Sequence, residues 1–232
     1  MITLIQYPPA FGLPNPSAFC VKAEVFLKMA DLDYNIKTVA DPSKGPKGKL
    51  PAIEDSGKII GDSALIRKHL ETTYSVDFDK GLSDKDKAIA HAFEIMLAER
   101  TYWAIVYNRW IDERNWPTIR DTFFGGMPPI VRNIVPGLIQ KKVKKSLAGH
   151  GLGRHTSAEI DAFAIDDARA CAAWLGDKDY FMGDKPVGVD ASVYAFLGSC
   201  AMTSFESALT DEIKSHDNLK AYIDRCHTLW FG

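Results

Sequence analysis

The sequence lacks the features that mark membrane-spanning, exported or repeat proteins. No apolar run in its 232 residues approaches the roughly 18–20 residues that a bilayer-spanning helix needs. The segment Met1–Pro9 has no basic region and is interrupted by Pro8 and Pro9, so we predict no signal peptide. Internal repeats and low-complexity tracts are absent as well. We therefore expect an ordinary globular fold.

Cysteine and net charge are also scarce. The four cysteines are scattered, without the spacing of a metal site, at Cys20, Cys171, Cys200 and Cys226. Such usage is typical of free thiols in a reducing cytosol, and it predicts a cytoplasmic protein. The formal net charge of −2 gives no general attraction to nucleic acid or to anionic membranes. We therefore expect no nucleic-acid partner.

The composition that is present is that of a protein with a substantial core. Hydrophobic residues make up 46% of the chain and charged residues 25%, as in typical globular domains. The length suits one large domain or two small ones. A chain of this size buries roughly 70–75% of its unfolded surface, so the core needs neither disulfides nor a metal to hold it.

Secondary-structure signals change in kind near residue 75. Before it the pattern is mixed α/β. We predict a strand at 2–7, a helix at 17–30, a strand at 34–39, a hairpin at 52–60 and a helix at 63–70. The segment Asp55–Gly57 supplies the hairpin turn. The first helix begins after either Asn15, with Pro16 in its first turn, or Ser17. This order of elements is that of a thioredoxin-like domain.

Beyond residue 82 long helical patterns dominate. Ser83 and Asp86 resemble a capping box that opens a helix of about thirty residues, ending near 116–117. Thr156 and Glu159 form a second box, and further helices are predicted at 156–175, 189–202 and 218–230. We place the domain boundary in 75–82, which gives a mixed α/β domain at 1–75 and an all-helical domain at 83–232.

Three short segments of the first domain combine into one arrangement. They are Ser17-Ala-Phe-Cys20 at the start of the first helix, Lys49-Leu-Pro51 before a short strand, and Gly61-Asp-Ser63 at the start of the next helix. A helix N-terminus carries about half a positive charge and free N–H donors, which favour a thiolate. In order and spacing the segments resemble the amino-terminal domain of glutathione transferases. The resemblance implies an α/β thioredoxin-like domain followed by an all-α domain, with glutathione as the bound cofactor.

Three residues compete for the catalytic role of thiol activation. The resemblance to serine-type transferases implies that Ser17 donates a hydrogen bond to the glutathione thiolate and lowers its pKa. Tyr7 is a rival, because tyrosine-type transferases place their tyrosine at the end of the first strand. Cys20, one turn beyond Ser17, is either inert core or the nucleophile of a thiol–disulfide exchange. Ser17 is alternatively only the cap of its helix.

The other two segments are implied to hold glutathione. In this superfamily the proline corresponding to Pro51 is cis, and the backbone of the residue before it, here Leu50, pairs with the cysteinyl part of the ligand. Asp62 and Ser63 match the pair that grips the γ-glutamyl group, and alternatively they only cap the helix. The lysines that compete for the glycyl carboxylate are Lys49, Lys44 and Lys47.

An aromatic stretch lies in the long helix of the second domain. Its members fall on adjoining helical stripes at Tyr102, Trp103, Tyr107 and Trp110. The resemblance implies that this helix faces the thiol site and supplies the pocket for a small-molecule electrophile, whereas core packing is the alternative. These side chains indicate only an apolar or aromatic substrate. Transferases of this architecture are usually dimers, so we expect a homodimer.

The pattern as a whole resembles one branch of this superfamily, the failed-axon-connections and metaxin-like group. The segments that carry this resemblance span nearly the whole chain, at 15–22, 47–51, 102–116, 123–126 and 151–155. The branch includes members with no known catalysis, some of which act in outer mitochondrial membrane import or in neuronal development. The resemblance therefore allows an alternative, a non-catalytic adaptor that binds a protein or a membrane.

Residues 121–155 are longer and more basic than an ordinary transferase needs. Ile130, Ile134 and Leu138 recur every four residues, but Pro136 should interrupt a single helix there. The stretch 140–146 carries four lysines, which form either a solvated helix face or a contact with an anionic surface or partner.

A further motif, at 181–191, resembles the one that opens the buried helix of the transferase C-terminal domain. Asp190 stands where it bonds back to the N–H of the cap residue, Val187, which offers no side-chain oxygen in return. We expect Asp190 to serve folding rather than catalysis.

Overall fold

The computed structural model describes residues 1–232 and divides into an α/β part and a helical part. The four strands of the first part are β1 (Ile2–Gln6), β2 (Tyr34–Thr38), β3 (Ala52–Asp55) and β4 (Lys58–Gly61). They form one sheet in the order β2-β1-β3-β4. β1 pairs in parallel with β2 and antiparallel with β3, which in turn pairs antiparallel with β4. The predicted hairpin is confirmed, and its turn residues Ser56 and Gly57 both have positive φ, as a type I′ turn requires.

Two helices accompany the sheet, α1 (Ala18–Met29) and α2 (Ser63–Tyr74). α1 is buried along almost its whole length, because it packs against α2 and also against a helix of the second part. The crossing from β2 to β3 contains only a short 3₁₀ turn at Pro42–Lys44. The α/β thioredoxin-like class predicted for this half is confirmed.

The second part is entirely helical. Its helices are α3 (Asp84–Met96), α4 (Tyr102–Trp110), α5 (Trp116–Phe124), α6 (Pro129–His150), α7 (Ser157–Leu175), α8 (Gly188–Ala201), α9 (Ala208–Ser215) and α10 (Asp217–Phe231). α8 is buried from Gly188 to Cys200 and forms the centre of the helical part. A single apolar core of 40 buried residues runs through both parts. Both predicted capping boxes, at the starts of α3 and α7, are present.

The long helix predicted to reach 116–117 ends earlier, at Trp110. A π-helical segment, Leu97–Thr101, joins α3 to α4, so the helix is continuous from Asp84 to Trp110. Beyond it the Asn115 side chain donates to the carbonyl of Asn108 (3.0 Å) and exchanges two hydrogen bonds with the backbone of Glu206 (2.7 and 3.0 Å). These bonds fix the turn after Trp110 against a loop that is distant in sequence. The end of the helix therefore cannot be predicted from the local sequence pattern.

The expectation that Pro136 interrupts the helix is wrong, since α6 runs through it. Proline removes one helical hydrogen bond, at a cost of about 3 kcal/mol, but contacts elsewhere in the helix can offset this. Gln140 donates to the carbonyl of Trp110 (2.9 Å), and Leu147 is buried in the core. The first half of α6 extends into solvent, with Ile130, Ile134 and Leu138 being 76%, 56% and 61% exposed.

Candidate functional site

Ser17 occupies the N-cap position of α1, which resolves the choice between Asn15 and Ser17. Its carbonyl accepts the N–H groups of Cys20 (3.0 Å) and Val21 (3.1 Å), while its hydroxyl makes no capping bond. That half-buried hydroxyl instead faces the Cys20 thiol, a weak acceptor. The donor therefore stays available beside the positive end of the helix.

Asn15 ties the end of β1 to the start of α1, a role that the sequence analysis missed. Its fully buried side chain donates from Nδ2 to the carbonyl of Tyr7 (2.7 Å), and its Oδ1 accepts the N–H of Ser17 (3.1 Å). The amide thus closes the loop between Tyr7 and Ser17. The one sequence signal for this role was an asparagine before Pro16 and the helix.

The three candidate thiol activators, Ser17, Tyr7 and Cys20, lie together, and burial raises the pKa values of Tyr7 and Cys20. Cys20 is completely buried, and burial raises the pKa of its thiol to about 12, although contacts with the Ser17 hydroxyl and the Tyr7 N–H oppose the shift. Burial, followed by the proximity of Cys20, also raises the pKa of the Tyr7 phenol. At neutral pH Cys20 is therefore a thiol and Tyr7 a neutral hydroxyl, so neither side chain is the anion of this site.

The second segment meets the first through a small apolar cluster. Cys20 and Leu50 pack in it together with Ile5 and Ala52, and Tyr7 packs against them. The Leu50–Pro51 peptide bond is cis, as predicted. Leu50 is buried, yet neither its N–H nor its carbonyl makes a hydrogen bond within the chain. Buried backbone groups are nearly always paired, so this edge is suited to a ligand with backbone-like groups.

The third segment is joined to the second by the N–H of Asp62, which donates to the Pro51 carbonyl (3.3 Å). Asp62 has a φ of 86° and caps α2 by accepting the N–H of Ala64 (2.9 Å). Ser63 is buried, and its hydroxyl makes no hydrogen bond within the chain. Lys49, Lys44 and Lys47 are all exposed, so burial does not distinguish among them.

The four aromatic residues of the predicted substrate pocket make different ring contacts, although Tyr102 and Trp103 also touch each other, with ring centroids 5.4 Å apart. Tyr102 contacts Phe19, inside the first motif, with ring centroids 4.8 Å apart. Trp103 stacks on His150 of α6 at 4.6 Å. Trp110 instead contacts the rings of α5, Phe123 and Trp116, at 6.1 and 6.0 Å, while Tyr107 is half-buried against the core. Tyr102 is thus the member of the set that makes a ring contact with the Ser17–Cys20 motif.

A cavity of about 670 Å³ lies away from the three motifs, between α5 and α6. Its lining includes Trp116, Arg120, Asp121, Arg132 and Asn133. The chemistry-bearing motifs lie elsewhere, at the end of β1, before β3 and at the start of α2. We therefore assign the candidate site to the motifs and not to this cavity.

A four-stranded sheet of this topology, a cis-proline before β3 and a following all-helical part together define the glutathione transferase fold. Models of the glutathione S-transferase N-terminal and C-terminal domains match residues 18–115 and 164–226. The chain is 30% identical to the isoprene-epoxide–glutathione S-transferase of Rhodococcus sp. (strain AD45), over 97% of both chains. It therefore belongs to the glutathione S-transferase family.

The resemblance to the failed-axon-connections and metaxin-like branch is also confirmed. The chain is 30% identical to Failed axon connections of Drosophila melanogaster, over 85% of this chain and 49% of that protein. It is 26% identical to human metaxin-1, over 98% of this chain and 51% of that protein.

Solved structures support the fold. A beta-etherase from Sphingobium sp. strain SYK-6 has a TM-score of 0.68 at 17% identity, covering 97% of this chain and 94% of its own. A glutathione S-transferase of Ceriporiopsis subvermispora, solved in complex with glutathione, has a TM-score of 0.63 at 19% identity, covering 99% and 96%.

Proposed function

We propose that this protein is a glutathione transferase that binds glutathione along Leu50 and between the N-termini of α1 and α2. The observation that carries the proposal is the pair of unbonded backbone groups on buried Leu50. Their N–H and carbonyl suit the cysteinyl part of glutathione in a strand-like pairing. Ser63, whose hydroxyl is unpaired, lies at the adjoining α2 N-terminus and suits the γ-glutamyl carboxylate.

In this proposal Ser17 is the thiol-activating residue. Its hydroxyl makes no capping bond, and donation to a glutathione thiolate lowers the pKa of the bound thiol and keeps the nucleophile available near pH 7. Tyr7 stays neutral as an auxiliary donor, and Cys20 remains a protonated core thiol. Asp62 pairs with the γ-glutamyl ammonium, and the exposed Lys49 pairs with the glycyl carboxylate.

The second substrate that we propose is a small apolar epoxide. The Rhodococcus relative is named for isoprene epoxide, and Tyr102 with Phe19 places apolar ring surface beside the Ser17–Cys20 motif. The thiolate sulfur attacks an epoxide carbon, the S–C bond forms as the C–O bond breaks, and the alkoxide takes a proton from water. The product is a hydroxyalkyl thioether of glutathione, in which the new thioether and hydroxyl groups carry no charge.

The test is glutathione binding by calorimetry on the wild type, Ser63→Ala, Ser17→Ala and the exposed control Ser146→Ala. We expect micromolar to millimolar binding that Ser63→Ala weakens at least tenfold, because a hydrogen bond to a charged group contributes about 1.5–3 kcal/mol. Ser17→Ala should retain binding but lose turnover of a small epoxide. Absence of wild-type binding at several millimolar would contradict the proposal.

A second candidate function, a surface adaptor, is favoured by one observation on α6. This helix carries Arg132 and four lysines but no acidic residue, in a chain whose formal net charge is −2. Ile130, Ile134 and Leu138 lie on the same helical face as Lys141 and Lys145, and all five are exposed. The partner that we propose is an anionic lipid surface, because it combines negative headgroups with an apolar interior. No helix of the structure is both long and apolar enough to cross a bilayer.

Sedimentation with lipid vesicles tests this second candidate. We expect binding to vesicles of phosphatidylserine and phosphatidylcholine but not to phosphatidylcholine alone, and loss of binding when the four lysines at 141, 142, 144 and 145 become glutamine. A control changes four exposed lysines outside α6, namely those at 85, 87, 214 and 220. Equal binding by both quadruple variants, or none by the wild type, would exclude this surface.

A further inference from the structure

Arg109 of α4 is a buried arginine without an acidic partner. It is 8% exposed, and its two terminal nitrogens donate to backbone carbonyls, Nη1 to Pro16 (2.8 Å) and Nη2 to Ser199 (2.6 Å). The guanidinium carbon also lies 5.0 Å from the ring centroid of Phe205. None of the ion pairs of the chain includes Arg109.

The surroundings of this guanidinium do not neutralise its charge. The titratable groups that face it are Tyr102 of α4 and Cys200 of α8, both neutral at pH 7 because burial raises their pKa values. Burying an ion without a counterion is unfavourable, and carbonyl dipoles compensate only part of that cost. A positive charge is thus left next to the backbone that carries Ser17, since Pro16 immediately precedes it.

We propose that Arg109 is the positioning residue for thiol activation at Ser17. It holds the Pro16–Ser17 peptide from the helical part, and its uncompensated charge favours the thiolate over the thiol at that place. This inference rests on the proposed glutathione site. A purely structural arginine would brace α4 against α8 and the loop, and would leave the acidity of a bound thiol unchanged.

The experiment measures the pKa of the glutathione thiol in the complex from the ultraviolet absorbance of the thiolate, on the wild type, Arg109→Gln, Arg109→Lys and Arg114→Gln. Arg114 is the matched control, an exposed arginine paired with Asp112 just after the same helix. We expect a wild-type value at least one unit below the ordinary thiol pKa of about 8.5. Arg109→Gln should raise it by about one unit, a tenfold loss of thiolate, with a smaller rise in Arg109→Lys. The acidic limb of the kcat/KM profile should move by the same amount.

The outcomes separate this inference from the proposed function. Glutathione binding with an unshifted thiol pKa in Arg109→Gln would overturn the role of Arg109 and leave the proposed function standing. Absence of binding by the wild type would overturn both. If Arg109→Gln fails to fold, the wild type and Arg109→Lys still test the proposal. A bound-thiol pKa in the wild type equal to that of free glutathione would contradict it, and so would an unchanged bound-thiol pKa in Arg109→Lys.

Discussion

At the scale of single residues, the candidate site depends on a few polar groups in mostly apolar surroundings. The Ser17 hydroxyl makes no capping bond, and the amide of Asn15 accepts the Ser17 N–H and closes the preceding loop. Three residues further along, burial raises the pKa of the Cys20 thiol and keeps it protonated at neutral pH. Within one short motif, packing therefore leaves the Ser17 hydroxyl available as a donor and keeps the Cys20 thiol protonated.

Replacement of Asn15 by alanine should damage stability and site together. It leaves the Tyr7 carbonyl and the Ser17 N–H without partners in a partly buried loop, at a cost of about 2 kcal/mol in the free energy of unfolding. Glutathione affinity should fall several-fold, because Ser17 is no longer held. Urea unfolding and calorimetry measure the two effects. Asn133→Ala, on an exposed face of α6, is the control, and equal behaviour of both variants would refute the role of Asn15.

At the scale of elements, the N-terminus of α8 shows how a buried helix is fixed without a complete capping box. Asp190 accepts the N–H groups of Val187 and Phe181 and the hydroxyl of Tyr222, each at 2.8 Å. Burial nevertheless raises the pKa of this carboxyl to about 6, despite those hydrogen bonds. The carboxylate that organises the helix is therefore held in the fold at an energetic cost at neutral pH.

The contribution of Asp190 to stability should fall as the pH rises from about 4 to about 6. In this window Asp190 is protonated in the folded state but already ionised in the unfolded chain, where its pKa is near 4. Because the folded state binds the extra proton, rising pH lowers the free energy of unfolding. The decrease should approach about 3 kcal/mol. Urea unfolding of the wild type minus that of Asp190→Asn, which has no carboxyl to titrate, isolates the effect. A flat difference across the window, or one of opposite slope, would disprove the assignment.

At the scale of the whole molecule, a polar network joins the α/β part to the helical part. Glu94 of α3 meets Lys22 of α1 (3.2 Å), Arg67 of α2 (3.5 Å) and the hydroxyl of Ser192 in α8 (2.9 Å). Arg67 also contacts Asp79 in the segment between the two parts (2.6 Å). Because the apolar core is continuous as well, the parts should unfold together.

Glu94→Gln should therefore destabilise the molecule by about 3 kcal/mol, since it leaves the buried Lys22 ammonium without its carboxylate. Arg67 retains its ion pairs with Asp79 and Glu71. The loss of stability should therefore lie at the lower end of the range for a broken buried ion pair. Urea unfolding followed by both fluorescence and circular dichroism measures it. Glu99→Gln, an exposed change nearby in the chain, should stay within about 0.5 kcal/mol. Matching losses in the two variants would show that the network contributes little.

Much of the fold was predictable because its signals are local. The strand and helix order, the hairpin turn and the two capping boxes follow from residues within a few positions of one another. The cis peptide before Pro51 was implied by the family resemblance. The end of α4 at Trp110 was not predictable, because Asn115 pairs with Glu206 across 91 positions. The continuity of α6 through Pro136 likewise depends on anchoring contacts beyond the proline.

The sequence by itself determined the family, the two-part architecture and the three segments that form the candidate site, because these are recorded as short patterns at fixed spacings. The tertiary structure decided which of the candidate groups are chemically available. Burial sets the pKa of Cys20, and long-range packing leaves the Leu50 backbone and the Ser63 hydroxyl unpaired. It also brings Arg109 to the Pro16 carbonyl, 93 positions away. Solvation and pairing depend on all neighbours in space, and a linear pattern contains only the neighbours along the chain.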